Sequence, residues 1–298
     1  MPPRKLELIL VFAAMACAEA PHPSPEAAFA ELLDADRAYS AASAKTDLVT
    51  GLSAMFAANV AMPVPGGRFA TGVEEARAAL RAGPDSVGST IEWSPIGGGL
   101  SADGQHGFTF GYMTLKRGDS TVPLKYLSYW VKGAEGWRVA AYRRGLRAAG
   151  PEDTTSFTPV LPERIGPAIT DTGMTAEFGR SVAQIERDFS DEAQRIGLKA
   201  AFAKYGRSDA INMGGPARPG FVGGAPAISE AVSQGEPDSG SSVSWGPDRV
   251  LVASSGDLGV TIGMIRPNTP SQGGPAGFPF FTVWRRNSPG EPWRYIAE

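Results

Sequence analysis

Ser101-Ala-Asp-Gly-Gln-His-Gly-Phe-Thr-Phe-Gly-Tyr-Met113 returns 152 residues later as Ala253-Ser-Ser-Gly-Asp-Leu-Gly-Val-Thr-Ile-Gly-Met-Ile265. Gly104, Gly107 and Gly111 have their counterparts in Gly256, Gly259 and Gly263 at that one offset. Each copy opens on turn residues and runs on with strand-like alternation. Outside it, Trp93-Ser-Pro95 matches Trp245-Gly-Pro247. Trp130 and Trp137 match Trp284 and Trp293, with a longer turn, Asn287-Ser-Pro-Gly290, between the second pair. Agreement at so many positions marks an internal duplication, so whatever fold one half takes the other repeats.

Before the first copy, the apolar residues keep helical spacing. Ser24 can cap a helix with Pro25 in its first turn, and Phe29, Leu32, Leu33, Asp36 and Tyr39 follow at intervals of three and four. Asp47 opens a second short helix through Leu48, Leu52, Met55 and Phe56, which Pro63-Val-Pro-Gly-Gly67 breaks into a loop. Thr71-Gly-Val-Glu74 reads as a capping box for a third helix through Ala76, Ala79 and Leu80. The period then changes to that of strands over residues 89–93, 106–115, 122–132 and 137–143, with turn residues at each junction. Helices first and strands afterwards is an α+β pattern. In the second half, Glu186-Arg-Asp-Phe-Ser190 stands for Asp36-Arg-Ala-Tyr-Ser40, and residues 226–232 for the third helix. The expected organisation is an export signal and spacer over 1–25, a first domain over 26–147, a Pro/Thr/Gly-rich linker over 148–175 and a second domain over 176–298.

Composition narrows the function classes. The chain has 298 residues, 42% apolar and 20% charged, as globular proteins do. A net charge of −3 offers no basic face, so no nucleic-acid partner is expected. The single cysteine, Cys17, excludes an intrachain disulfide, and two histidines, His22 and His106, exclude a multi-histidine metal site. No phosphate loop, nucleophile elbow, HExxH or CxxC motif occurs. No metal and no cofactor is therefore expected. At the N-terminus, Arg4 and Lys5 precede a short apolar run, Leu8 to Ala16, and small residues around Cys17. That resembles a bacterial lipoprotein signal, with Cys17 the lipidated residue, although Ala14 replaces the usual leucine. The protein is expected to be exported, periplasmic or membrane-anchored, touching the membrane only through the lipid.

Each half resembles the nuclear transport factor 2-like superfamily, in its SnoaL-like and ketosteroid-isomerase-like branch. The residues that carry the resemblance are Tyr39 to Asp47, Ala54-Met-Phe-Ala-Ala-Asn-Val-Ala-Met-Pro63, Gly72-Val-Glu-Glu-Ala76 and Tyr129-Trp-Val-Lys-Gly-Ala-Glu-Gly-Trp-Arg-Val139. The resemblance implies two tandem cone-shaped domains, each with about three helices held in a strongly bent, mainly antiparallel sheet around an apolar pocket. It also implies pairing through the outer sheet faces. Residues 124–132 fit that: they are apolar on both parities, as a strand covered on both faces should be.

The same resemblance implies a first-helix tyrosine that polarises a carbonyl and an aspartate before a proline that moves the proton. Tyr39 matches the tyrosine, but Met62 stands before Pro63 and cannot act as a base. Between the halves, Tyr39, His106, Tyr112 and Tyr126 correspond to Phe189, Leu258, Met264 and Phe280. The first half is polar wherever the second is apolar. The expected site is therefore a pocket of the first domain that binds a small apolar molecule through Tyr39, His106, Tyr112 and Tyr126, with His106 the candidate acid–base group. The rival readings are a cofactor-independent isomerase, cyclase or hydrolase in that pocket, and an interaction protein without a ligand. Each residue also has a plainer reading: the tyrosines as core aromatics and His106 as a partly exposed strand residue. Asp34 and Asp36 read as a solvated pair, and Arg143, Arg144 and Arg147 as a basic cluster facing water or the linker.

Overall fold

The computed structural model describes residues 22–86, 88–154, 157–269 and 273–298, so Cys17 and the lipidation site lie outside the described residues. The first half runs α1 (Pro25–Ser43), α2 (Leu48–Ala54), β1 (Phe56–Val64), β2 (Arg68–Thr71), α3 (Val73–Ala82), β3 (Ser89–Leu100), β4 (His106–Arg117), β5 (Ser120–Gly133) and β6 (Gly136–Leu146). The second runs α4 (Thr172–Tyr205), β7 (Gly206–Asn212), β8 (Val222–Gly223), α5 (Ala225–Val232), β9 (Val243–Val252), β10 (Leu258–Pro267), β11 (Phe278–Arg285) and β12 (Arg294–Ala297). The sheets have one topology, β2-β1-β6-β5-β4-β3 and β8-β7-β12-β11-β10-β9. The chain is an α+β protein with two six-stranded sheets.

Local chemistry places the helices. The Ser24 hydroxyl accepts from the Ala27 amide at 3.2 Å, and the Asp47 carboxylate accepts from Val49 and Thr50 at 3.0 Å each. Each cap satisfies N–H groups that have no intrahelical partner. The capping box lies one residue later than the sequence suggests. Gly72 is the cap of α3, and Glu75 rather than Glu74 reaches back to the Thr71 amide at 3.0 Å. Helix α4 is continuous in name only: Gly197 (φ 84, ψ 159) breaks it, so its two parts stand for α1 and α2. Only glycine takes that positive φ without strain.

Strand β1 is a correction. Residues 56–64 read as a helix end and a loop, but they pair antiparallel with β2 and parallel with β6. Val60, Met62 and Val64 enter the first core while Ala61 faces the other way. Alanine-rich local propensity favours helix, and tertiary pairing overrides it.

Both sheets bend at the same place. Ile96, after Trp93-Ser-Pro95, and Asp248, after Trp245-Gly-Pro247, are bulge residues with no partner on the facing strand. A proline without an N–H followed by an unpaired residue kinks the edge and curls the sheet over its helices. The convex faces meet. Phe108, Phe110, Leu127 and Tyr129 of the first sheet share one buried cluster with Ile211, Val260, Phe281 and Val283 of the second. The two glycine turns interlock beside it. Asp257 accepts from the Ala102 amide at 3.0 Å, and Asp103 accepts from the Ser254 hydroxyl at 2.8 Å. Gly104 (φ 64) and Gly256 (φ 67) supply the left-handed turns that aim these carboxylates, which accounts for the repeat.

Candidate functional site

Each cone is closed at its centre by a carboxylate that accepts from indole and hydroxyl groups. In the first, Asp36 is fully buried and accepts from Trp93 Nε1 at 2.5 Å and from the Tyr126 hydroxyl at 2.8 Å. Asp34, two residues away, is exposed and pairs with Arg37, so the two aspartates are not a solvated pair. Burial pushes the Asp36 carboxyl up, and its hydrogen bonds pull it part of the way back. In the second cone Glu186 takes this place. It accepts from Trp245 Nε1 at 2.6 Å, from Trp284 Nε1 at 2.8 Å and from the Thr261 hydroxyl. Its carboxyl is also pushed up by burial. These carboxylates are structural pins, each tying its helix to the sheet.

The cones differ in what lies beside the pin. In the first, Tyr126, Trp130, Met113 and Leu52 are packed in the core, and Tyr142 beside them lines a smaller pocket of about 190 Å³ with Met62, Val64 and Leu80. Tyr142 packs its ring 5.4 Å from Phe56 and points its hydroxyl at Met113 Sδ, 3.5 Å away. The second holds a cavity of about 290 Å³ that opens to solvent. Its walls are Phe189, Leu198, Phe202, Trp245 and Phe280, and its polar lining includes Asn212, Glu236, Thr282 and Glu298. A cavity of that size is at the small end of ligand sites, which span roughly 300–1,000 Å³.

Register explains the difference. Trp130 faces Val139 and Tyr129 faces Ala141 in the first sheet; Trp284 faces Tyr295 and Val283 faces Ala297 in the second. Ala141 and Ala297 are thus equivalent, and the next residues, Tyr142 and Glu298, occupy one position in the two cones. A phenol ring takes up the space in the first, down to a pocket of about 190 Å³, and a shorter carboxylate leaves about 290 Å³ in the second. Asn212 Nδ2 donates to Glu298 Oε2 at 3.2 Å. Burial pushes the Glu298 carboxyl from its ordinary 4.5 up to about 8, with Glu186 adding to the rise and Arg143 opposing it.

Arg143 reaches this cavity from the first half. It follows Tyr142 on β6, so its side chain leaves the opposite face of that sheet and lines the second cone. Burial lowers its pKa, and Glu298 is the acid whose charge acts on it. Of the basic cluster expected to face water or the linker, Arg147 pairs with Glu152 of the linker at 2.5 Å, while Arg143 turns to the second cone.

The four residues expected to share a pocket are split by the first sheet. Tyr126 points inward to Asp36, and Tyr39 stacks on Trp130 with ring centres 6.0 Å apart. His106 and Tyr112 lie on the convex face. His106 Nδ1 is 2.8 Å from the Tyr129 hydroxyl, and burial pushes its pKa down to about 4, so it is neutral at ordinary pH. Tyr112 packs on Phe221 and lines an open groove of about 390 Å³ along the β3 edge. The single pocket expected in the first domain is thus corrected. Period-two alternation places residues on a face but does not say which face looks inward.

Comparison with known proteins adds one level. No protein-family model matches the sequence, and no curated protein does. Solved structures do match. The fold is similar to that of nuclear transport factor 2-like proteins. A protein of unknown function from the DUF3225 family of Pectobacterium atrosepticum is 21% identical, with 41% of this chain and 92% of that one covered and a TM-score of 0.29. An NTF2-like protein with a cystatin-like fold from Novosphingobium aromaticivorans is 13% identical, over 40% of this chain and 81% of that one, at a TM-score of 0.31. A ketosteroid isomerase-like protein from Erwinia carotovora atroseptica is 16% identical, over 41% and 92%, at 0.26. Each spans about the length of one half of this chain.

Proposed function

We propose that this protein binds a small, largely apolar molecule inside the second cone, with the polar end of the ligand turned toward Glu298, Asn212 and Thr282. The observation that carries this reading is the exchange of Tyr142 for Glu298 at one position of the two cones, which leaves aromatic walls around a cavity of about 290 Å³. Closing that space should cost the ligand its site. Glu298→Tyr copies the residue at this position of the first cone, and calorimetric titration with one- and two-ring alcohols, ketones and acids reads the result. Wild type is expected to bind members of the panel and Glu298→Tyr to bind none. Binding that survives Glu298→Tyr would place the ligand elsewhere and overturn the reading.

One observation favours a second reading at the same cavity. A carboxyl pushed up to about 8 is poised to exchange a proton near neutral pH, as a cofactor-independent isomerase requires. Turnover of a bound ketone that Glu298→Gln abolishes, with its binding retained, would support that reading. Export with lipidation at Cys17 remains our proposal from the sequence alone.

A further inference from the structure

Arg143 is a cation without a partner in a place where every acid already has one. Its guanidinium is half-buried at the cavity wall, and it has no hydrogen-bond or ion-pair partner among the described residues. Three carboxylates stand near it or line the same space. Glu186 is held by Trp245, Trp284 and Thr261. Glu236 accepts from the Ser242 amide at 3.0 Å and from its hydroxyl at 2.6 Å. Glu298 accepts from Asn212 and lies beyond the 4.0 Å of an ion pair with Arg143. A half-buried arginine with no partner at the wall of a cavity is placed to pair with an anion that enters it.

We propose that the ligand of the second cone is a carboxylate, a small cyclic or aromatic acid whose ring lies among Phe189, Phe202, Trp245 and Phe280 and whose carboxylate pairs with Arg143. This rests on the preceding reading that the cavity binds a ligand at all. Arginine suits the task because its planar fork matches a carboxylate with two parallel N–H···O bonds. The aromatic walls supply the apolar contact, and the size of the cavity limits the ligand to one or two rings. The arrangement also makes the second cone dependent on the first. The ring pocket belongs to one half and the anion reader to the other, so a site assembled from the second half alone would be incomplete.

Glu298 sets the pH window of the pairing. While its carboxyl keeps its proton it does not repel an incoming carboxylate, and it can donate to it. Above about 8 it ionises, repels the ligand and competes for Arg143. The groups that face Glu298 or line its cavity are Arg143 from β6, Asn212 from β7, Glu186 from α4 and Glu236 from the stretch before β9, and of these only Arg143 carries a positive charge.

The test is calorimetric titration of the full chain at pH 7 with benzoate, phenylacetate and 2-naphthoate, each beside its neutral amide. The acids are expected to bind at least tenfold tighter than the amides. Arg143→Met should remove that preference while leaving amide binding in place, and Arg143→Lys, which keeps the charge and guards against misfolding of the first variant, should retain part of it. Acid affinity should fall between pH 7 and pH 9 in wild type and stay level in Glu298→Gln. Acids and amides binding equally in wild type would overturn the carboxylate proposal and leave the pocket reading intact. Neither acids nor amides binding would overturn both.

Discussion

Glu298→Gln should change how stability depends on pH, and by an amount the cavity sets. The Glu298 carboxyl moves from 4.5 to about 8 on folding. Between those values the folded chain holds a proton that the unfolded chain has released. Stability contributed by this group is therefore present at low pH, falls as pH rises from 4.5 to about 8, and is level on either side. At ~1.4 kcal/mol per pH unit the whole interval is worth about 5 kcal/mol. Water reaches the half-buried side chain and screens part of that, so about 2–3 kcal/mol is expected. Asp36, Glu186 and Asp257 are pushed up by burial as well, so the trend of the wild type alone is a composite. The informative quantity is the difference between wild type and Glu298→Gln in urea unfolding, followed from pH 5 to pH 9. Glutamine keeps an acceptor for Asn212 and has nothing to titrate. The variant should gain on wild type steadily up to about pH 8 and hold its lead above it. A difference that stays constant across the range would mean that Glu298 is solvated in the folded chain, and its desolvation at the cavity wall would be refuted.

Other outcomes follow from the same contacts. Asp36→Ala leaves the Trp93 indole and the Tyr126 hydroxyl buried without an acceptor and should lower stability by about 2–5 kcal/mol, read from denaturant midpoints. Arg285 and Asp257 are both almost fully buried and 3.3 Å apart at the interlocked turns, so Arg285→Met should cost about 3–5 kcal/mol, and a loss below 1 kcal/mol would remove the pair from the account. His106→Leu copies Leu258 and breaks only the contact with Tyr129, so stability should drop by about 1 kcal/mol while ligand binding is unchanged in titration. Cys17→Ser should abolish incorporation of radiolabelled palmitate in a bacterial host, and labelling that persists would end the lipoprotein proposal.

The duplication carried the fold. Glycine turns, Trp-x-Pro bulges and paired tryptophans are constrained by backbone geometry and burial, so both copies keep them. Strand β1 escaped because Ala57-Ala58-Asn59 has no strand preference of its own and takes its structure from β6 and β2. The site was legible only in part. The exchanges that leave the first half the more polar do not mark the cavity. Trp137-Arg-Val-Ala-Ala-Tyr142 aligned on Trp293-Arg-Tyr-Ile-Ala-Glu298 holds the decisive exchange in plain sight. There the second half is polar and small where the first is aromatic, and a ring lost from a core leaves space. Asp36 was misplaced because an aspartate among apolar residues on a helix can equally face water. Only the two donors, at sequence separations of 57 and 90, show that it does not. Arg143 was beyond reach, since its cavity belongs to the other half.

The central claim is that the second cone is hollow among its aromatic residues, where the first is packed around Tyr126 and Trp130. Diffraction from crystals pressurised with xenon tests it most directly, because xenon settles against apolar walls wherever a core leaves room and finds none where it is packed. A xenon peak is predicted among Phe189, Leu198, Trp245 and Phe280, with none beside Tyr126 and Trp130. A peak in the first cone with none in the second would contradict the account.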